Sequence, residues 1–281
     1  MNMGISNKAF SADNQQETSF VSSNLINHKW GILRDYTPDT VKLSNELVIL
    51  IALLYTDGGI SKHRLSSWRI FFANSCEEAI VLFRNCLVKL FKISPSRIKV
   101  RTKFGRYHFA VLTSKEVGNY LIKTFGHFRT LKFKDGQHPL VSIPVKALIE
   151  CGKADIFLKT AFSMDGGVKF YLARNKKLGT KWLERNVSLA CHHPVLRNQY
   201  QELLQSIGIE SKNIEKDKII KVRRREDLEK FAVKVGFIKG IRTTKHSKFW
   251  IGVEKNDVLK MVLDSYKNPS KYISSTQFNL R

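Results

Sequence analysis

Two apolar helices that each stop at Asp-Gly-Gly constrain this chain more than any other feature. Leu43 to Thr56 reads LSNELVILIALLYT and runs into Asp57-Gly58-Gly59. Lys153 to Met164 forms a second such helix and runs into Asp165-Gly166-Gly167. Glycines end helices at low cost. The segments after each helix also recur. Behind the first come a basic, turn-like stretch, a strand SWRIFFAN (Ser67 to Asn74) and a helix from Glu77 to Phe91. That helix carries Ile80, Phe83, Leu87 and Leu90 near helical period. Strands RIKVRTKF (Arg97 to Phe104) and RYHFAVLT (Arg106 to Thr113) come next, then a helix from Lys115 to Phe125.

Behind the second come strands VKFYLARN (Val168 to Asn175) and NVSLACHH (Asn186 to His193), and a helix from Pro194 to Ile207. A strand pair between Ile209 and Val222 and a helix from Arg225 to Val235 complete the copy. Phe83, Leu87 and Leu90 align with Tyr200, Leu204 and Ile207; Leu121, Phe125 and Gly126 align with Phe231, Val235 and Gly236. A repeat of about 110 residues is a duplicated domain, too long for a solenoid unit. The expected fold class is α+β, built from tandem αββαββα units. The halves are expected at 41–142 and 143–281. Residues 1–40, polar and without periodicity, read as a loose extension anchored near Trp30, Ile32 and Tyr36, with Pro38 leading into the first helix. Beyond Lys248, WIGV reads as a strand and the stretch from Asp257 to Tyr266 as a last helix.

Charge narrows the partner. The 281 residues hold 48 Lys plus Arg against 24 Asp plus Glu, a formal balance of +24. Such an excess repels itself unless a polyanion is near, and nucleic acid, through counterion release, is the expected one. Apolar residues make up 43%, enough for a core and too many for a disordered chain. No run of apolar residues is long enough to span a bilayer, and no signal-peptide pattern opens the sequence. Cys76, Cys86, Cys151 and Cys191 form no CxxC pair, so reduced thiols in an intracellular compartment are expected, such as cytoplasm, nucleoid or organelle matrix.

The acids stand at costly positions. The C-terminal end of a helix is already negative, and an Asp there is worth about 0.3–1 kcal/mol less than a neutral residue. A divalent cation reverses that cost. If the two helices pack side by side, both carboxylates reach one place. Ala52, Thr56, Thr160 and Ala161 are small enough to allow it; Met164 fits less comfortably. Two carboxylates meeting at a phosphate suit metal-assisted phosphodiester hydrolysis. A single Asp-Gly-Gly is ordinarily a turn; two at matching places in a basic duplication point to chemistry.

These residues resemble the single-chain, two-motif LAGLIDADG homing endonucleases. The family's nine-residue motif maps onto Leu50 to Gly58 and Leu158 to Gly166, and its acidic position falls on Asp57 and Asp165. The resemblance spans about residues 43 to 270. Tyr55 and Ser163 stand at the sixth motif position instead of an acid, and Lys159 and Met164 are unusual at the second and seventh. The resemblance implies two antiparallel, saddle-shaped sheets about a pseudo-two-fold helix interface. It implies a monomeric, intron-encoded, site-specific endonuclease for a long non-palindromic double-stranded DNA target. Asp57 and Asp165, with Gly58 and Gly166, would hold Mg²⁺; Mn²⁺ would substitute, and Ca²⁺ would bind without supporting cleavage. Lys132 and Lys245 are the candidate basic residues beside the scissile phosphate.

The strands fit a DNA surface. Arg97, Lys99, Arg101 and Lys103 alternate with Ile98, Val100, Thr102 and Phe104, which predicts one basic and one apolar face. In the next strand Arg106 and His108 are expected outward, with Tyr107, Phe109 and Val111 in the core. In the second half Lys169 and Tyr171 lie opposite Val168 and Phe170, and Arg174, Lys176, Lys177, Lys181 and Arg185 make a basic hairpin loop. Lys62, Arg64, Arg69, Lys221 and Arg223 complete the candidate DNA contacts, read against a major groove. His192 and His193, adjacent on a strand, would point to opposite faces and are poor joint ligands. Two other functions fit the same surface: an intron maturase that binds RNA, and a non-catalytic DNA-binding regulator.

Overall fold

The computed structural model describes residues 43–64, 66–103, 107–174, 179–244, 247 and 249–274. The expected N-terminal extension, with Trp30, Ile32, Tyr36 and Pro38, lies outside them, as do Phe104, Arg106, Lys176, Lys177 and Lys245. Every described residue belongs to the unit Pro38–Arg281.

Helix α1 (Asn45–Tyr55) starts at Ser44, whose hydroxyl accepts from the Leu47 amide, and is buried on nearly all sides. Strands β1 (Gly58–His63) and β2 (Ser67–Asn74) follow, then α2 (Glu77–Phe91), β3 (Lys99–Lys103), β4 (Tyr107–Ser114) and α3 (Lys115–Phe125). A linker and a short helix α4 (Val145–Glu150) lead into α5 (Ala154–Asp165). The second series is β5 (Gly166–Arg174), β6 (Lys181–Ala190), α6 (Pro194–Ser206), β7 (Lys212–Ile214), β8 (Ile219–Val222) and α7 (Arg225–Lys234). Helices α8 (Lys255–Lys267) and α9 (Pro269–Ile273) end the described chain.

The fold is α+β, and the duplication is literal. Both sheets are antiparallel and four-stranded, ordered β1-β2-β4-β3 and β5-β6-β8-β7. Registers match as well: Gly58 opposes Phe72 as Gly166 opposes Leu189. Helix α1 packs against α5, and one apolar core runs through both halves, from Leu50, Phe72 and Phe83 to Phe157, Phe162 and Phe231. Lys159, the odd residue of the second motif, is exposed and so leaves the buried Thr160 and Ala161 to the interior.

Several expectations change. The turn-like stretch after Asp57 is strand β1, paired along its length with β2. Gly58 and Gly166 are extended at the start of a strand; neither is among the residues with positive φ. Close approach requires them. A Cβ on Gly58 would stand 2.8 Å from the Leu53 carbonyl oxygen, and one on Gly166 would stand 2.5 Å from that of Phe162. The WIGV segment is a turn, held by Gly252 N donating to the Thr243 carbonyl at 3.0 Å. Arg97 closes a 3-10 turn (Pro95–Arg97) ahead of β3 instead of joining it.

The faces of β4 are the reverse of those expected. Ala110 and Leu112 are fully buried, while Phe109 and Val111 are half-buried and Tyr107 exposed on the face shared with Lys99 and Arg101. The strand YHFAVLTS is apolar on both alternations, so period two cannot choose between them. Ala110 sits opposite Phe72, which stacks on Phe83 at 5.4 Å; a small residue inside leaves room for the rings. Val100, expected in the core, is 42% exposed because β3 is the sheet edge.

Candidate active site and nucleic-acid interface

Asp57 and Asp165 stand at the ends of α1 and α5, and the structure brings them to one centre. Asn74, the last residue of β2, donates from Nδ2 to Asp57 Oδ2 at 2.7 Å and lies 3.6 Å from the Met164 sulfur. One amide thus spans both helix ends. Burial pushes the Asp57 carboxyl up, against the Asn74 hydrogen bond and the charge of Lys255. Asp165 keeps an exposed edge at the end of α5. Loss of hydration and then the charge of Asp57 push its carboxyl up, and Lys255 opposes both. Like charges in a shared site favour keeping one proton there until a cation arrives.

Lys255, the first residue of α8, is buried, and its Nζ donates 2.6 Å hydrogen bonds to the carbonyls of Ser163 and Gly166. Those carbonyls close α5, so the ammonium meets the negative end of that helix. Burial pulls the Lys255 pKa down to about 8, with Asp165 and Asp57 holding it from falling further. Neither Asn74 nor Lys255 is visible as a site residue in the sequence, where each is a common polar residue far from the motif it serves. Register carries a partial signal: Asn74 follows Phe72 by two as Cys191 follows Leu189, so the second half has a thiol where the first has an amide.

The unusual sixth motif positions have structural work. Tyr55 Oη donates to the Ser142 carbonyl at 2.7 Å and ties α1 to the linker. Ser163 Oγ accepts from the Ile238 amide at 2.8 Å and donates to the Lys159 carbonyl at 2.6 Å. Among the described residues no three His, Cys, Asp or Glu side chains converge as a metal cluster. The oxygens on offer are the two carboxylates and the turn carbonyls, of which that of Gly166 is shared with Lys255. This is the sparse, hard-oxygen set that Mg²⁺ accepts when water and phosphate complete its shell. All four cysteines are free thiols. Burial pushes the Cys86 thiol up to about 12 and that of Cys191 up to about 11.

The open face of the first sheet carries Arg69, Lys99 and Arg101, interleaved with Phe71, Phe109 and Val111. Arg69 Nη2 lies 3.3 Å from His63 Nδ1. Lys62 is on the opposite face, 5.0 Å over the Trp68 ring, and His108 pairs there with Thr102 at 3.1 Å. Arg64 holds a turn at φ 59°. Lys103 ends β3 beside Tyr107.

In the second sheet Lys169 and Tyr171 lie on the open face, Tyr171 stacked 6.1 Å from Phe249. Arg174 and Lys181 are paired strand ends and not loop residues. Arg185 is turned to the core side, bonded to Ser265 at 2.7 Å and stacked over Tyr266 at 4.4 Å. Lys221 bonds the Glu184 carboxylate at 2.9 Å and Arg223 lies 3.7 Å from it. Burial works against the charge on Glu184, but Lys221, Trp182 and Arg223 hold it below the usual carboxylate range.

Lys132 is exposed in the linker, and its carbonyl accepts from Arg129 at 3.1 Å. His193 is buried: Nδ1 accepts from the Leu196 amide at 3.4 Å and Nε2 pairs with the Pro139 carbonyl at 2.9 Å. The strand β6 ends at Ala190, ahead of both histidines, and His192 is exposed where His193 is buried.

No family model matches the chain, and no curated protein matches it. Solved structures similar to it are LAGLIDADG homing endonucleases. One is I-DmoI in complex with DNA and Mn, 13% identical over 68% of this chain and 96% of that one, with a TM-score of 0.43. Another is the LAGLIDADG meganuclease I-AabMI bound to uncleaved DNA, 11% identical over 82% and 94%, with a TM-score of 0.48. A third is I-SmaMI bound to an uncleaved DNA target with calcium, 12% identical over 82% and 94%, with a TM-score of 0.45. Likeness at this level leaves activity to be argued from the chain's own residues.

Proposed function

We propose that the chain is a site-specific double-strand DNA endonuclease of the homing type, with a divalent cation held by Asp57 and Asp165. The convergence of these acids at equivalent helix ends, beside sheet faces bearing Arg69, Lys99, Arg101 and Lys169, carries the reading. The two sheets share topology but not side chains, which suits a long, non-palindromic duplex read by one monomer. Major-groove edges distinguish all four base pairs, and strands bearing long cationic side chains fit that groove.

Mg²⁺, when bound, supplies Lewis-acid stabilisation of the phosphate and a water of lowered pKa. Asp57 and Asp165 would hold it, with carbonyls near Gly58 and Gly166. Asn74 fixes the rotamer of Asp57. Lys255 fixes the turn beneath Asp165. Lys132 and Lys245 are proposed to meet charge on the scissile phosphates. Mn²⁺ would substitute, and Ca²⁺ would support binding alone. An intracellular, reducing compartment suits the four free thiols.

The test is a randomised target library incubated with the full chain and Mg²⁺, followed by cleavage-site mapping. A defined double-strand cut is expected, and Asp57→Asn and Asp165→Asn should each abolish it while keeping duplex binding in Ca²⁺. Full cutting by either variant would overturn the assignment of the acids.

A further inference from the structure

Beside the second half lies a cavity of about 430 Å³ whose walls come from three separate segments. The linker supplies Lys132 and His138, the β6–α6 junction and the first turn of α6 supply His192 and Arg197, and the β7–β8 turn supplies Lys218 and Glu215. Three permanent cations face one carboxylate. Nothing in the cleavage reading requires this convergence, apart from the isolated choice of Lys132.

The walls are built. Arg197 is 5% exposed; its Nε donates to Asn213 Oδ1 at 2.6 Å and its Nη1 to the Cys191 carbonyl at 3.0 Å. Two bonds fix the guanidinium plane at the cavity wall, and guanidinium matches a phosphate edge. Lys218 takes a left-handed φ of 53°, uncommon for a residue with a side chain. Its carbonyl accepts from the Cys191 amide at 2.9 Å, which locks the turn against the strand end. His193 pins the linker through the Pro139 carbonyl and meets the His138 ring edge-on at 4.7 Å.

His138 Nδ1 is itself buried and has no hydrogen-bond partner among the described residues. Loss of hydration pulls the His138 imidazole below its usual range, and His193, Lys132, Lys218 and Arg197 pull it further. The same cations that would repel a proton there would welcome an anion.

We propose that this cavity is a phosphate-binding subsite, seating a backbone phosphate of the bound strand beyond the Asp165 centre. The occupant rests on the nuclease reading; the anion chemistry does not. Lys218 and Lys132 would supply mobile point charges, Arg197 a fixed fork, and His138 a donor once protonated. Glu215, the one carboxylate of the lining, would favour one orientation by repelling a second phosphate.

Two measurements on the full chain test it. The first follows the His138 and His192 imidazole signals during titration with inorganic phosphate. Saturable shifts are expected, lost in Lys218→Met and weakened in Lys132→Met. The second measures the salt dependence of binding to a mixed-sequence duplex. Each variant should reduce the slope of log K against log salt by about 1, while Lys230→Met, on α7, leaves it unchanged. Duplex binding with no imidazole shift and unaltered slopes sinks the subsite alone. Imidazole shifts without duplex binding uphold the subsite and sink the nuclease reading.

Discussion

Asn74 and Met164 stand 3.6 Å apart, amide against sulfur, although one ends a strand of the first half and the other precedes the acid of the second. The same amide holds the Asp57 carboxylate at 2.7 Å. The two helix ends are therefore joined by a side chain as well as by packing, and the acids' geometry depends on it.

Removing that amide should damage chemistry more than binding. Asn74→Ala is expected to lower the cleavage rate by about 10–100-fold, the usual cost of losing a partner that orients a metal ligand. Affinity for duplex in Ca²⁺ should change little. Cys191→Ala, at the equivalent register in the second half, should leave the rate near wild type. Rate constants from single-turnover cleavage decide it, and equal losses in both variants would show that Asn74 has no special role.

Lys255 replaces a charge problem with a bond. Its ammonium satisfies the Ser163 and Gly166 carbonyls, and Lys255→Met strands both in a buried place. A loss of about 2–3 kcal/mol is expected from hydrogen bonds to a charged group. Urea unfolding of the two proteins reads it directly, with the slope unchanged.

The acids should leave a signature in pH. Asp165 keeps its proton in the folded chain well above its ordinary value of 3.8, up to about 8. Its contribution is therefore whole below the ordinary carboxylate range and is lost as pH rises through that window. The metal-free thermal midpoint should fall with pH more steeply in wild type than in Asp57→Asn/Asp165→Asn. Lys255 acts in the opposite sense only above about 8. Mg²⁺ should flatten the decline, because cation binding needs the ionised acids. Melting curves across pH, with and without chelator, supply the comparison; parallel curves would remove the shared-proton account.

Glu184 restrains the second sheet's positive face. Glu184→Gln should release Lys221 and Arg223 to phosphates. Non-specific duplex affinity should then rise at low salt, and the salt slope should steepen by about 1–2. Filter binding over a salt series measures both. An unchanged slope would place those cations away from the DNA.

What the sequence determined is what local periodicity can encode. The helices ending at Asp57 and Asp165 were legible because 3.6-residue apolar spacing and a following Gly-Gly act within one segment. The duplication was legible because the same order of periods occurs twice. Strand β1 was missed because GGISKH has only Ile60 to mark its inward face. Tertiary structure alone decided the faces of β4, where both alternations are apolar and the space around Phe72 and Phe83 selects Ala110 and Leu112. It also set Lys62 over the Trp68 ring and bonded Arg185 to Ser265. The sequence argued that an Asp at a helix C-terminus needs a cation. Tertiary structure supplied one, Lys255, from 90 positions further on. Contacts between residues so far apart leave no period in the chain, and burial and charge select them only once the segments have met.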